Sequence, residues 1–152
     1  MIDQRLAELG ITLPDAAAPS FNYVPVTLHR GVAYLAGQMP KVDGEVKLFG
    51  KAGGAVSLEQ ARGEARICIL QGLACLKQAL GSLDRIERIL KVTGFVASAP
   101  GFNDQPKVLD AASDLLGEIF GEAGRHARSA VGVAELPRNA AVEIEMVVAY
   151  RE

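Results

Sequence analysis

Two charged residues stand in or beside apolar runs near the end of the chain, where a purely structural segment would not need them. Arg128 begins a run in which Val131 and Val133 alternate with small residues, and Glu143 lies early in a second alternating run. An unpaired guanidinium is costly to bury, and its planar fork matches a carboxylate through two hydrogen bonds. Arg128 is therefore a candidate for binding a small carboxylate, unless it lies at the surface or pairs within the fold.

The sequence alone explains Glu143 without a catalytic role, as a solvated residue of a strand. It shares a strand face with Glu145, and carboxylates on the second face of a strand are most often solvated. The opposite face is apolar from Val142 to Val148, and this period of two predicts a strand with one face on a core. Residues Leu136–Asn139 are typical of a turn, so the sequence predicts two strands joined as a hairpin.

The elements that must position these residues can be predicted along the chain. Ser57 and Gln60 form a capping-box pattern that begins a helix, whose apolar face continues to Leu80 before Gly81 ends it. The other predicted elements are a short helix (Ile2–Gly10), strands at Tyr23–Leu28, Val32–Ala36, Val46–Leu48 and Arg85–Ala97, and a helix at Val108–Ile119. The main order, β-β-α-β-α-β-β, predicts an α+β two-layer sandwich: a mostly antiparallel or mixed sheet with two helices packed on one face.

Length and charge limit the classes of protein that fit. The 152 residues suit one domain, in which residues 1–19 form an N-terminal helix and linker. No apolar run approaches the roughly 20 residues of a membrane span, and the first residues do not resemble a signal peptide, so we expect a soluble cytoplasmic protein. The net charge of −2 offers no basic surface for nucleic acid.

Cysteine and histidine give no sign of a disulfide or a metal site. Cys68 and Cys75 lie about 10 Å apart if the segment is helical, too far for a disulfide, and are expected as reduced core residues. His29 and His126 lack the clustered partners of a zinc site, so we expect no metal.

The predicted layers leave one face of the sheet uncovered. Alternate residues of strands such as 89–95 and 142–148 would form a large apolar patch on that face. A monomer would not tolerate such a patch, whereas packing in a closed cyclic oligomer would bury it. The pattern therefore predicts an oligomer without fixing the number of subunits.

The chain resembles a known family at two places. The run Ala127–Ser129, followed by Val-x-Val-Ala, Leu-Pro and Val-Glu-Ile-Glu, is similar to the C-terminal signature of the Rid family, the YjgF-like reactive-intermediate deaminases also called endoribonuclease L-PSP. Tyr23 and Gly37-Gln38-Met39-Pro40 match the family upstream with the expected spacing. The resemblance covers the chain from Tyr23 to Tyr150.

This resemblance implies a chorismate-mutase-like fold and a homotrimer with ligand clefts between subunits. In the implied cleft, Arg128 clamps the carboxylate of a small 2-imino or 2-oxo acid, and Glu143 holds or deprotonates a water molecule. Tyr23 reaches the cleft rim from a neighbouring subunit, and the backbone of Gly37 touches the ligand. Ala130 occupies a position that is often Cys or Thr, so that only its backbone amide can contribute.

The resemblance implies hydrolysis of a reactive enamine or imine, such as 2-aminoacrylate, to a 2-keto acid and ammonia. No cofactor is expected, because an imine is already electrophilic. Two alternatives remain: a non-catalytic trimer that binds a small carboxylate as a sensor or scaffold, and, third, an endoribonuclease, for which the sequence shows no basic groove. Gly132 replaces a common glutamate, segment Ala97–Asp110 is longer than usual, and Asp110 stands near a common asparagine, which leaves the substrate open.

Overall fold

A five-stranded mixed sheet covered on one face by two long helices forms the body of the protein. The computed structural model describes all 152 residues. In chain order the helices and strands are α1 (Ile2–Glu8), β1 (Val26–His29), β2 (Val32–Gln38), β3 (Lys41–Val42), β4 (Glu45–Val46), α2 (Leu58–Leu80), β5 (Ile86–Ala97), α3 (Gln105–Phe120), β6 (Ala127–Val133) and β7 (Val142–Tyr150). This is the α+β class that the sequence predicts.

The strand order β1-β2-β7-β5-β6 corrects one prediction. The segments that carry Arg128 and Glu143 do not form a hairpin, because β5 lies between β6 and β7. Strand β6 follows the crossover through α3 and pairs in parallel with β5, whereas β7 pairs antiparallel with both β2 and β5. The central place suits β7 because its apolar residues from Val142 to Val148 are buried.

Helix α2 begins and ends where the sequence predicts. The hydroxyl of Ser57 accepts a hydrogen bond from the amide of Gln60 at 3.1 Å, and the Gln60 side chain accepts one from the Ser57 amide at 2.9 Å. Gly81 ends the helix in the left-handed conformation, with φ of +84°, which glycine adopts without steric cost. The apolar face between these ends lies on the sheet beside α3.

The alternation of Val131 and Val133 predicts that the valines of β6 face the core, but the structure places other residues of β6 on that face. Arg128 bonds to side chains of α3, so Arg128, Ala130 and Gly132 point to the helix layer, and Val131 on the opposite face is 43% exposed. A Cβ atom on Gly132 would lie 2.7 Å from Gln105 Nε2, which shows how closely α3 approaches this edge. Small residues therefore face α3, and the valines face outward.

The uncovered face of the sheet is mixed rather than uniformly apolar. The apolar series of β7 is buried under the helices, and Glu143 and Glu145 lie on the uncovered face with Val147. Tyr34 of β2 is 51% exposed there. The predicted large apolar patch is thus smaller and carries charge.

Two hydrogen bonds attach helix α1 to the body of the protein. In α1, the amide of Ile2 donates to Asp84 Oδ1 at 2.8 Å, and Arg5 Nε donates to the Glu118 carbonyl at 2.8 Å. Residues 11–25 contain no helix or strand, and we call them the N-terminal strap. Strand β1 begins at Val26, so Tyr23 lies in the strap and not in the predicted strand.

Both cysteines are buried and unpaired, as predicted. Burial raises the pKa of the Cys68 thiol well above its usual value, and the charges of Glu64 and Glu143 raise it further. Cys68 Sγ donates to the Val142 carbonyl. A protonated, buried thiol of this kind is a packing residue. None of the helices combines the length and apolar character needed to cross a membrane.

Candidate functional site

A bulge in β2 brings Gly37 against Glu143. The pairing of β2 with β7 is Leu35 with Met146 and then Gln38 with Ile144, so β2 contains one extra residue. A Cβ atom on Gly37 would lie 2.9 Å from the carboxyl carbon of Glu143 and nearer still to its Oε2. Glycine allows this close approach with the Glu143 carboxyl group in its present position, whereas a side chain at position 37 would displace that group.

Glu143 lies in a cavity of about 300 Å³ that we call the glutamate cavity. Tyr23 and Gly37 line it too, so three of the five predicted site residues lie together. The strap forms one wall of the cavity. Its other lining residues include Phe21, Pro25, Gln38, Met39, Lys41, Gln71 and Arg138. The volume falls in the range of small-molecule sites, and the lining combines apolar residues with polar side chains, of which Gln38, Gln71 and Glu143 are called the polar floor.

The carboxylate of Glu143 is held in an environment that favours its proton. Burial raises the pKa of Glu143, and the neighbouring charge of Glu145 raises it further. Glu143 has no hydrogen bond or ion pair within the chain, so its oxygens are available to a ligand or a water molecule. A carboxylate with a raised pKa holds its proton to higher pH than an ordinary carboxyl group does, which suits proton exchange with a ligand or a water molecule.

Arg128 is held by α3 on the other face of the sheet. Its Nη1 donates to Asp110 Oδ1 at 2.9 Å and to Ser113 Oγ at 3.1 Å, and its Nη2 donates to the Pro106 carbonyl at 3.3 Å. The Arg128 side chain is 21% exposed. Its Nε–H and one N–H of Nη2 have no partner within the chain. These two donors remain for a two-pronged contact with a carboxylate.

A histidine completes the support of Arg128. His126 Nδ1 lies 2.6 Å from the Gly124 carbonyl, which can only accept, so Nδ1 carries the proton in the neutral ring. His126 Nε2 then accepts from the hydroxyl of Ser113, 2.9 Å away, and Ser113 accepts from Arg128. These residues surround a polar pocket of about 290 Å³, the arginine pocket, lined by Ser113, Asp114, Gly117, Gly124, Arg125, His126 and Arg128.

One chain does not bring all five predicted residues together. Arg128 and Glu143 leave the sheet on opposite faces and line different cavities. Ala130 lies beneath the helices, packed against the core, and lines neither cavity. The departure noted at Asp110 has a clear structural role, because Asp110 lies on α3 and forms the ion pair with Arg128.

Several residues of the two cavities were not predicted. Gln71, Lys41 and Arg138 line the glutamate cavity, and Ser113 and His126 support Arg128. Gln71 is 3% exposed although the helix pattern does not mark it as a core position. The sequence offers one signal, a polar residue next to the apolar positions of α2. This signal does not identify the groups that Gln71 contacts.

Comparison with known proteins agrees with this architecture. The family model described as "YjgF/chorismate mutase-like, putative endoribonuclease" matches residues 3–149. Protein TCP17 of Trypanosoma cruzi is 44% identical over 145 residues, covering 95% of this chain and 91% of that protein.

Two further relatives are similar to this chain, one over nearly its whole length and the other over part of it. The crystal structure of Atu1372 from Agrobacterium tumefaciens, a protein of unknown function, superposes with a TM-score of 0.92 at 45% identity, covering 99% of this chain and 92% of that one. A 2-iminobutanoate/2-iminopropanoate deaminase of Dermatophagoides farinae is 44% identical over 64 residues, 42% of this chain and 44% of that protein. The chain belongs to the YjgF/chorismate mutase-like family.

Proposed function

We propose that this protein is an enamine/imine deaminase, which hydrolyses reactive 2-imino acids of the 2-aminoacrylate type to 2-keto acids and ammonia. The observation that carries the proposal is the unpaired, half-buried carboxylate of Glu143, held against Gly37 in a cavity of substrate size. The partial similarity to a relative named as an imine deaminase supports the same reaction.

In the proposed reaction, a water molecule held by Glu143 attacks the imine carbon, and the C=N double bond becomes a single bond. Glu143 takes a proton from the water and returns it to the nitrogen. Glu143 then passes the proton of the hydroxyl group to the amino group while the C–N bond breaks, so that ammonia leaves with the bonding electrons and the C=O bond of the 2-keto acid forms. Backbone amides near Gly37 and Ala130 are proposed to stabilise the developing charge.

The substrate carboxylate is proposed to bind Arg128 of a second copy of the chain. Within one chain Arg128 and Glu143 lie on opposite faces of the sheet, so a single protomer cannot offer both to one small substrate. A homotrimer with clefts between subunits joins the glutamate cavity of one protomer to the free donors of Arg128 in the next. The exposed apolar groups at Tyr34 and Val131 offer surface for this assembly.

The test is ammonia release from imino acids generated in situ by an amino-acid oxidase. Wild type is expected to accelerate release, and Arg128→Ala is expected to lower kcat/KM by about 10- to 100-fold, as for the loss of a charge-assisted hydrogen-bond pair. Arg125→Ala, which alters an exposed arginine of the same pocket, serves as the matched control. No acceleration by wild type across small and bulky imino acids contradicts the proposal.

A second candidate, a non-catalytic trimer that binds small carboxylates, is favoured by the ion pair of Arg128. Asp110 already supplies a carboxylate to the guanidinium at 2.9 Å. A ligand carboxylate must therefore share Arg128 with Asp110, which weakens the charge that would position a substrate. Saturable binding of 2-oxo acids without ammonia release from any imino acid would favour this second function.

A further inference from the structure

The side chain of Gln71 is buried with one half of its amide unpaired. Gln71 lies on α2 and is 3% exposed. Its Nε2 donates to the Lys41 carbonyl at 2.9 Å, and its Oε1 has no hydrogen-bond partner. The assignment of the two amide atoms follows from the Lys41 carbonyl, which can only accept and so must face the nitrogen. A buried acceptor without a donor is rare in folded proteins.

Gln71 lines the glutamate cavity together with Glu143. The two residues reach the cavity from different layers, Gln71 from a helix and Glu143 from the sheet. Their neighbour Gln38 does not supply the missing donor, because its Nε2 donates to the Ala36 carbonyl and makes no hydrogen bond to Gln71. The polar floor of the cavity thus presents two acceptors that lack donors.

Two cations also line the cavity and limit what it can bind. Arg138 is bonded through Nη2 to Ser20 Oγ in the strap, and the Lys41 side chain forms no ion pair with Glu143 or Gln71. Neither cation satisfies the two acceptors. A ligand that donates hydrogen bonds completes this floor, whereas a ligand that presents only acceptor atoms leaves Gln71 unpaired.

We propose that Gln71 Oε1 accepts a hydrogen bond from the substrate nitrogen and so selects nitrogen-bearing acids over oxo acids. This proposal rests on the proposed deaminase function and adds a specificity residue to it. A 2-imino acid carries an N–H at the carbon that is attacked, and the 2-oxo acid product carries a carbonyl oxygen in its place. Gln71 therefore binds the substrate and disfavours the product, which assists product release.

The experiment compares two non-reacting ligands, 2-aminobutanoate and 2-oxobutanoate, in direct binding to the full-length protein. Wild type is expected to bind 2-aminobutanoate more tightly. Gln71→Met retains the length of the side chain and removes the acceptor, and it is expected to weaken 2-aminobutanoate binding about tenfold, the equivalent of one hydrogen bond, while leaving 2-oxobutanoate unchanged. Gln78→Met, an exposed position on the same helix, is the matched control.

Several results would overturn the proposal. Equal affinity of wild type for the two ligands overturns it, and this result needs no variant. An equal loss of affinity for both ligands in Gln71→Met also overturns it. These binding results are separate from turnover. If wild type prefers 2-aminobutanoate and Gln71→Met loses that preference, Gln71 is confirmed as a selective residue even where ammonia release fails. If wild type releases ammonia but shows no preference, the deaminase stands and the role of Gln71 is wrong.

Discussion

The glutamate cavity and the arginine pocket have similar volumes, about 300 and 290 Å³, but their polar groups are bonded to different extents. In the glutamate cavity, Glu143 has no partner and Gln71 Oε1 has none. In the arginine pocket, Arg128 and His126 are both bonded to neighbouring groups.

This difference separates two tasks that a single site must combine. Free acceptors in a half-buried cavity can bind and act on a ligand. A guanidinium bonded on three sides is instead held in one orientation, with only two donors left to present. The glutamate cavity is thus the reactive half of the proposed site, and the arginine pocket is the preorganised half.

The largest expected effect comes from the reactive half. Glu143→Gln is expected to lower kcat for imine hydrolysis by about 10²- to 10⁴-fold, the usual contribution of a general acid–base group. In wild type, activity is expected to rise with pH as Glu143 ionises, above the ordinary carboxyl range because its pKa is raised. A pH–rate profile of the ammonia assay checks both points. Glu145→Gln, on the same sheet face, is the control: it removes a charge that raises the pKa of Glu143 and so should move the profile to lower pH, and a loss of kcat equal to that of Glu143→Gln contradicts the role of Glu143.

The same substitution gives a stability readout that is independent of turnover. A raised pKa means that the folded state holds the Glu143 proton more tightly than the unfolded state does. The contribution of this carboxyl to stability is therefore present at low pH and falls as pH rises through its pKa. Glu143→Gln should gain stability relative to wild type as pH rises above the ordinary carboxyl pKa of 4.5, measured by thermal melts over a series of pH values.

The second-largest expected effect is recovery of activity in mixed oligomers, which tests whether the glutamate cavity and the arginine pocket of one site come from different chains. Alone, Arg128→Ala is expected to keep at most about a tenth of wild-type kcat/KM, and Glu143→Gln at most about a hundredth of wild-type kcat. Co-assembled in equal amounts, they should recover about a quarter of wild-type activity, because each site then draws its two residues independently from two copies. Co-expression with two affinity tags, followed by the ammonia assay, makes the measurement. Mixed oligomers that are no more active than the average of the two separate variants would place both residues in one chain's site or in none.

The smallest expected effect concerns the support of the arginine. Asp110→Asn removes the ion pair with Arg128 at a position where Asp110 is more than half exposed. The free guanidinium should bind the substrate carboxylate better and lower KM by about two- to fivefold, as for an exposed ion pair. Asp114→Asn, an exposed acid on the same helix that lines the arginine pocket, is the control. A rise in KM would show that Asp110 orients Arg128 rather than competing for it.

Local features of the fold could be predicted because local chemistry determines them. The Ser57 cap, the Gly81 stop and the alternating residues of β7 are set by neighbours in sequence, and the structure contains each of them. The family signature likewise identified Tyr23, Gly37 and Glu143, which the structure brings to one cavity. These residues could be predicted together only because the resemblance supplied their spacing.

Strand pairing and the buried polar contacts could not be predicted in the same way. The expected hairpin is wrong because β5, more than 40 residues earlier in the chain than β7, is inserted between β6 and β7. The outward face of Val131 depends on how closely α3 packs at Gly132. Gln71 becomes informative only once its neighbours Lys41 and Gln38 are known. Each of these facts depends on contacts between distant segments.

The close approach of Gly37 and Glu143 has a consequence for how this sequence can vary. Any side chain at position 37 meets the carboxyl group of Glu143 in its present position, so that carboxyl group must rotate away before a larger residue fits. The two positions are therefore coupled, and the effects of substituting them should not be additive. A lineage that acquires a side chain at position 37 displaces the carboxylate from its place against the bulge even where glutamate is kept at position 143, and so weakens the chemistry proposed for it.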